Sequence, residues 1–494
     1  MSDPQILTRT RARPKLRTIE PTIGERHASW LELFFDLVFV LAVAQVTKIL
    51  TESSDPGGLL KYAVLFIPIW WSWVGYTFYA DRFETDEAEY RILMFCGMLT
   101  VAAFSLCVGN AFTLAGDTAA IVTYVLVRIV LIALYARAAY FVPLARAYCL
   151  QFIKGFGTAV GLWLFSLALP SPYRYIVWGM AMLLELCTPF LNRRNTKLIP
   201  IDRSHIPERL GLFTIIVLGE AVIATAMGAS QTAWTVPSVT TAAFGFAMAA
   251  AIWWMTFDFV EDNAASSGGL IARFIYLYGH FFVVASIVAI GVGVEHAIQE
   301  TGETHLHLPS LALMGGGVGV YLTAITVIKK VAANCNLFYV RLALVAVALA
   351  MIPAGNFLPP LVSIVGFFLI LGVSVWLEGR YDVLGEEEEG TGHILPCEHA
   401  GEMRVFEPRS TEGCEECVKN NYKWVHLRLC LSCGHVGCCE SSIYTHASKH
   451  FHAENHPVIA SLEPNENWAW CYEDDRFVPL MTPIVEDPEA PTTL

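Results

Sequence analysis

Long apolar stretches alternate with short polar connections over residues 30–377. Each stretch has about 20 residues, which at 1.5 Å per residue is enough for a helix to cross a hydrocarbon core of about 30 Å. The pattern therefore predicts an all-α polytopic bundle of twelve membrane helices. The predicted spans are residues 30–50, 59–80, 91–113, 119–142, 150–170, 173–191, 209–228, 238–260, 272–297, 308–328, 335–353 and 357–377.

Basic residues are concentrated in alternate connections between the spans. They occur in the N-terminal arm, in the loop after the sixth span (Arg193, Arg194, Lys197, Arg203 and Arg209) and after the tenth span (Lys329 and Lys330). The intervening connections, near 51–58, 112–118, 229–237, 298–307 and 354–356, contain no Lys or Arg. Because basic loops remain in the cytoplasm, the N-terminus is predicted to be cytoplasmic. Twelve crossings then return the C-terminus to the same side.

The two halves of the membrane part repeat one pattern. "HASWLELFF" (residues 27–35) matches "HIPERLGLF" (205–213) in the positions of His, Leu and Phe, and "IWW" recurs at 69–71 and 252–254. Arg91 and Arg273 then open the next span of each half. Six spans per half start both halves on the same side, so the pattern predicts parallel 6+6 repeats related by an axis along the membrane normal.

Composition separates the chain into an apolar part and an acidic part. The whole chain is 55% hydrophobic and 16% charged, with a net charge of −13, all of which arises after Glu378. Nucleic acid is excluded as a partner, because phosphate contacts need a basic face. The predicted regions are a basic arm (1–29), a membrane domain (30–380), an acidic linker (381–394), a compact domain (395–480) and a disordered tail (481–494).

Several charged or titratable residues lie inside the predicted spans. Burying a charge in the bilayer costs at least about 2.5–3.5 kcal/mol, so such residues face the bundle interior and find partners there. Glu32 and Asp36 share one helix face at i, i+4, and Glu32 is near enough to the interface to snorkel. Two interpretations stay open: a structural network of salt bridges, or a polar site for a proton, ion or small solute. The candidate residues are Glu32, Asp36, Arg128, Glu185, Glu220, Asp258 and His280.

Cysteine and histidine alternate at short spacings in the acidic part. Two CxxC pairs, Cys414/Cys417 and Cys430/Cys433, precede Cys438 and then His446, His450 and His456. Zinc takes four Cys or His ligands in a tetrahedron, and a CxxC turn supplies two of them. A domain this small, with few aliphatic residues, also needs a structural metal to be stable. The pattern predicts bound Zn²⁺.

Four membrane segments carry a resemblance to a known family. "RHASWLELFFDLVFVLAVAQV", "PERLGLFTIIVLGEAV", "WWMTFDF" and "YGHFFVVASIVAIGVGVE" resemble segments of the bacterial low temperature requirement A (LtrA) membrane proteins. The resemblance covers about residues 20–380 and implies a multi-pass protein of the cytoplasmic (inner) membrane. It implies no particular chemistry.

The metal-binding region resembles the UBP-type zinc finger of ubiquitin-specific hydrolases, a small α+β domain. The resemblance implies one site of Cys414, Cys417, Cys438 and His446, and a second of Cys430, Cys433, His450 and His456. A third site would use Cys397, His399 and Cys471, with Asp474 where a cysteine is expected. The family's ligand is a free C-terminal tail, for which Trp470 and Tyr472 would form the pocket walls. The segment that supplies an arginine to this ligand reads "CCESS" here, which weighs against ubiquitin.

Two functions follow as hypotheses. The first is a transporter or permease with an intramembrane polar site. The second is a membrane-anchored signalling or scaffold protein whose finger captures a partner's C-terminal tail. Each predicted zinc is closed by four protein ligands, leaving no position for a catalytic water. An enzyme is therefore not expected.

Overall fold

The computed structural model describes most of the membrane part and of the finger. The described residues are 14, 28–83, 85, 87–113, 116–196, 205–259, 270–332, 337–390, 397, 399, 403, 407–420, 422–440, 442–463, 466, 468–474 and 476–478. The predicted N-terminal arm, except Pro14, Ala28 and Ser29, lies outside them, as does the predicted tail 481–494.

Twelve helices in the described part of the chain are long and apolar enough to cross a membrane. They are α1 (Trp30–Glu52), α2 (Pro56–Phe83), α3 (Ala88–Val108), α4 (Gly116–Phe141), α5 (Arg146–Ser166), α6 (Tyr173–Leu191), α7 (His205–Ser230), α8 (Val236–Phe259), α9 (Leu270–Gln299), α10 (Leu308–Ala332), α11 (Phe338–Gly355) and α12 (Pro360–Gly390). The predicted count of twelve spans is confirmed.

Helix ends follow local chemistry. Pro56 and Pro360 are the first residues of α2 and α12, where the missing N–H has no intrahelical partner to lose. The short connection between α5 and α6 is held by Arg174, whose guanidinium donates to the carbonyls of Ser166, Leu167 and Leu169. Ser166 is the last residue of α5, and Leu167 and Leu169 follow it, so the guanidinium caps carbonyls at and just after the end of this helix.

Two boundaries differ from the predicted ones. Helix α3 ends at Val108, five residues before the predicted end at 113, because Gly109 and Asn110 begin a turn; both are poor helix formers. Helix α12 continues to Gly390, well beyond the predicted end at 377, so the predicted acidic linker begins as helix. Glutamate is a good helix former, and this extension carries four of them.

The two halves pack their helices in the same order. In the first half α1 packs on α2 and α3, α3 on α4, and α4 on α5; in the second, α7 packs on α8 and α9, α9 on α10, and α10 on α11. The halves meet where α1 contacts α7. For these helix pairs the contacts of the two halves correspond, as the predicted 6+6 repeat requires.

Glycines bring α9 close to its neighbours. A Cβ on Gly291 would lie 2.8 Å from the Ala221 Cα on α7, and one on Gly317 would lie 2.7 Å from the Ile290 side chain. Small residues at such positions let helix backbones approach where no hydrophobic drive between helices exists in lipid. The glycine-rich run 314–319 is therefore a packing surface for α9 and α11.

The finger has a five-stranded antiparallel sheet and two short helices. Its elements are β1 (Leu427–Cys430), β2 (Val436–Cys438), β3 (Val458–Ser461), β4 (Ala469–Cys471), β5 (Arg476–Val478), α13 (Glu415–Lys419) and α14 (His446–Glu454), with strand order β2-β1-β3-β4-β5. Leu429 pairs with Ala460, Ala460 with Ala469, and Ala469 with Val478 across the sheet. All four are buried, so this row of residues forms the small core of the finger.

The chain divides into two compact units, one ending at Tyr381 and the other beginning at Asp382. The first unit buries a large cluster of aliphatic and aromatic side chains from the membrane helices. The second has its own core and the cysteine clusters. Each unit therefore has its own stabilising interior.

Candidate functional site

Asp36 is buried and paired with residues of two other helices. Its Oδ1 accepts hydrogen bonds from Arg209 Nη2 on α7 (2.8 Å) and from Trp73 Nε1 on α2 (2.7 Å). Asp36 is 2% exposed and Arg209 is 1% exposed. The contact joins α1 to α7, and therefore the first half to the second.

Glu32 lies one turn before Asp36 and does not snorkel to an interface. Its Oε2 accepts hydrogen bonds from the Ser29 backbone N–H (2.9 Å) and hydroxyl (3.0 Å), which forms a capping box at the start of α1. Its Oε1 lies 3.1 Å from Nε2 of His205 on α7. The suggested exposure of Glu32 is wrong, because the cap and His205 hold the carboxylate inside the bundle at 1% exposure.

Arg128 and Glu185 form a second buried group. Arg128 Nη2 lies 2.7 Å from Glu185 Oε2, which also accepts from Tyr124 at 2.7 Å. Glu185 Oε1 accepts from Trp163 at 3.1 Å. Arg128 and Tyr124 are on α4, Trp163 on α5 and Glu185 on α6, so this group fastens three helices of the first half. Both oxygens of the Glu185 carboxylate have partners, which favours the interpretation that this group is a structural network.

The remaining candidates lie in other surroundings. Glu220 on α7 interacts with Thr47 of α1 and, electrostatically, with the carboxyl group of Glu295 on α9. His280 is buried, with Nδ1 2.8 Å from the carbonyl of Tyr276 on its own helix. Asp258 is exposed near the end of α8. The seven predicted residues therefore divide among several contact groups.

Three residues of this region were missed from the sequence. Arg209 is a basic loop residue in the sequence-based prediction, yet it is buried on α7. His205 enters that prediction only as a matching position of the repeat, and Asp81 does not enter it. His205 and Arg209 are spaced i, i+4, as are Glu32 and Asp36. The contacting partners, Glu32 with His205 and Asp36 with Arg209, are each 173 positions apart in the sequence. That matching spacing was the available signal, because parallel neighbouring helices align residues of equal separation.

The predicted zinc ligands come together as three sets in the finger. In the first set, His446 Nδ1 lies 3.2 Å from Cys414 Sγ, 3.3 Å from Cys417 Sγ and 3.4 Å from Cys438 Sγ. Ligands at about 2.3 Å (S) and 2.1 Å (N) from one tetrahedral zinc lie about 3.6 Å apart. The four side chains are therefore spaced as a zinc ion requires.

The second set is Cys430, Cys433, His450 and His456, and the third is Cys397, His399, Cys471 and Asp474. In the second, His450 Nε2 lies 3.2 Å from Cys433 Sγ and 3.3 Å from His456 Nδ1. In the third, His399 Nδ1 lies 3.3 Å from Asp474 Oδ2. The ligand atoms of every set lie within 4.8 Å of one another. All three donor sets fit a zinc ion.

The surroundings of the thiols determine how they bind metal. Burial raises the pKa of Cys397 and of Cys430, each to about 11. Burial, with the neighbouring His435 and His456, lowers the pKa of His450 to about 4. The imidazole is therefore ready to ligate, whereas each thiol releases its proton as the metal binds.

The predicted tail pocket has an unexpected neighbour. The Tyr472 hydroxyl donates to Glu440, and the Tyr472 ring stacks on Phe451 with centroids 5.1 Å apart. Trp470 lies on β4 and packs edge-on against Phe477, and Tyr472 directly follows the last residue of β4. The wall is therefore aromatic, with a carboxylate from the "CCESS" segment beside it.

Both regions match known families. Residues 27–376 match the bacterial low temperature requirement A protein (LtrA), and residues 414–480 match the Zn-finger in ubiquitin-hydrolases and other protein. An uncharacterized protein of Rhizobium meliloti (strain 1021) is 26% identical over 350 residues, covering 64% of this chain and 83% of that relative.

Two ubiquitin carboxyl-terminal hydrolases are similar to the finger region. Ubiquitin carboxyl-terminal hydrolase 44 of Ailuropoda melanoleuca is 37% identical over 87 residues, covering 17% of this chain and 11% of the hydrolase. Hydrolase 16 of Mus musculus is 44% identical over 54 residues, covering 10% of this chain and 6% of the hydrolase. The chain therefore spans only a small part of either enzyme.

A solution NMR structure of a Rhodopseudomonas palustris protein is 49% identical, covers 17% of this chain and 81% of that one, and gives a TM-score of 0.16. The membrane match covers more than half of the chain and includes the helices that pair Asp36 with Arg209. The chain therefore belongs to the bacterial LtrA family and carries a UBP-type zinc finger after its membrane domain.

Proposed function

We propose that the membrane domain is a transporter whose polar site lies between α1, α2 and α7. The observation that carries this proposal is the buried Asp36–Arg209 pair across the two halves. Within the described residues, Asp36 Oδ2, Arg209 Nε and Nη1, and the Thr77 hydroxyl have no hydrogen-bond partner. Leaving a buried polar atom unmatched costs about 1–3 kcal/mol. A small polar or charged solute would complete these hydrogen bonds.

The α1/α7 boundary has the layout of a gated path. Polar residues lie at Asp36 and Arg209 and again at Thr47 and Glu220, eleven positions further along each helix. Buried apolar side chains separate them, including Phe39 and Phe213, whose rings pack edge-on at 6.4 Å. Movement of one half against the other would open and close this apolar layer.

Reconstitution into liposomes tests the transport proposal. We expect a proton- or ion-driven current with at least one of a panel of small solutes, lost in Asp36→Asn and kept in Asp258→Asn. The second variant is the matched control, because Asp258 is exposed near the end of α8. Size-exclusion profiles establish that both variants are folded. An Asp36→Asn variant that carries the full current would overturn the assignment of the site.

For the finger, we propose structural zinc at the first two sets and at the mixed third set. Each set supplies four protein ligands, which favours a binding or regulatory module over an enzyme. The orientation proposed for the chain follows the basic loops, with both termini in the cytoplasm of a bacterium and the membrane domain in its inner membrane.

A second candidate function is capture of a partner's C-terminal tail by the finger. The half-buried aromatic wall of Trp470 and Tyr472 supports it, and the Glu440 carboxylate beside Tyr472 favours tails with a basic residue. Full-length protein on beads would be tested against peptides with free or amidated C-termini. We expect retention of basic tails, weakened in Trp470→Ala and unchanged in Ile443→Ala, an exposed control. Equal retention by both variants would exclude this surface.

A further inference from the structure

His205 lies between two carboxylates in the interior of the membrane domain. Its Nε2 is 3.1 Å from Glu32 Oε1 on α1, and its Nδ1 is 3.1 Å from Asp81 Oδ1 on α2. The imidazole is fully buried, and the two acids are 1% and 3% exposed. One residue of the second half thus contacts two helices of the first half.

A neutral imidazole does not satisfy both neighbours. It carries one N–H and one lone pair, so it donates to one carboxylate and directs its lone pair at the other. Two facing acceptors repel each other, and in a buried site the repulsion is weakly screened. A proton on the second ring nitrogen, or on one of the acids, converts that contact into a hydrogen bond.

The charges around the triad favour the same extra proton. From α1, Glu32 and Asp36 face this region; from α2, Asp81 and Arg82; from α7, Arg209 besides His205. Among the described residues, these are three carboxylates near two guanidinium groups, and Glu208 of α7 adds a half-buried carboxylate that accepts from the Ala28 backbone N–H. Carboxylates buried close together make it costly to ionise all of them, which favours a bound proton. On the neighbouring α8 and α9, Asp258 is exposed and Arg273 is half-buried.

We propose that Glu32, His205 and Asp81 form a proton-binding site in which the three side chains share one proton beyond the neutral imidazole. The Oε2 atom of Glu32 stays with the Ser29 cap, which fixes the carboxylate toward His205. The bound proton joins α1 and α2 to α7, and its release leaves like-charged acids around a neutral ring. Protonation therefore tightens the contact between the halves.

Spectroscopy of the full-length protein in lipid nanodiscs tests this site without a transport assay. With ¹⁵N-labelled histidine, His205→Gln identifies the His205 signals. At neutral pH we expect either both ring nitrogens protonated, or a carboxylic acid band in the infrared spectrum. In the first case Glu32→Gln or Asp81→Asn returns a neutral ring; in the second the band disappears in one of these variants.

Two matched controls accompany the measurement. His307→Gln removes an exposed histidine and Asp258→Asn an exposed acid, and both should leave the His205 signals unchanged. A neutral His205 ring with both acids ionised would overturn the proposal. Proton binding without any current in liposomes would leave this site intact while removing the transport proposal, so the two failures are distinguishable.

Discussion

Arg128 and Glu185 show how this protein places charge inside a membrane domain. Neither side chain is exposed, and the carboxylate has three partners, Arg128, Tyr124 and Trp163. Removing one member of a buried pair leaves an uncompensated charge, whereas removing both leaves an apolar contact. The group is therefore stabilising as a unit rather than as separate residues.

The single variant Arg128→Met is expected to lower the free energy of unfolding by about 3–5 kcal/mol, because Glu185 loses its counter-charge. The double variant Arg128→Met with Glu185→Met should recover much of that loss. Unfolding in detergent, followed by circular dichroism, measures both. A double variant that is no more stable than the single one would show that the pair does not act as a unit.

At the scale of elements, helix α9 holds the second half together through close backbone contacts. Gly291 lies against Ala221 of α7, and Gly293 lies against Met314 of α10. Gly316, in contrast, has no heavy atom within 4 Å of its Cβ position among the described surroundings. Glycines in this domain therefore differ in what a methyl group would meet.

Gly291→Ala should destabilise the membrane domain, because the new Cβ would lie 2.8 Å from a backbone atom and α9 would have to move. The matched control is Gly316→Ala, which should be neutral or stabilising by up to about 1 kcal/mol from helix propensity. Thermal unfolding in detergent compares them. Equal midpoints for the two variants would contradict the close packing of α9 on α7.

The whole molecule consists of two units stabilised by different physics. The membrane unit depends on helices with internally satisfied backbones, as a bilayer demands. The finger has a small core, and its three Cys- and His-rich sets lie between its loops and strands. A domain of this size gains its stability from metal as much as from apolar burial.

Removal of zinc should therefore unfold the finger and leave the membrane unit helical. In full-length protein treated with a zinc chelator, we expect protease cleavage confined to the region after Asp382 and nearly unchanged helical circular dichroism. Cys417→Ser should do the same without chelator, whereas Cys96→Ser, a cysteine of the membrane part, should not. Resistance of the zinc-free finger to protease would contradict metal-dependent folding.

The sequence by itself determined the twelve spans, the division of the chain and the zinc ligand pattern. Each depends on local information: apolar length sets a span, and CxxC spacing sets half a metal site. The partners of the buried charges were decided only by the tertiary structure. Asp36 meets Arg209, and Glu32 meets His205, 173 residues away. Such partners depend on which helices are neighbours, and packing between the two halves decides that.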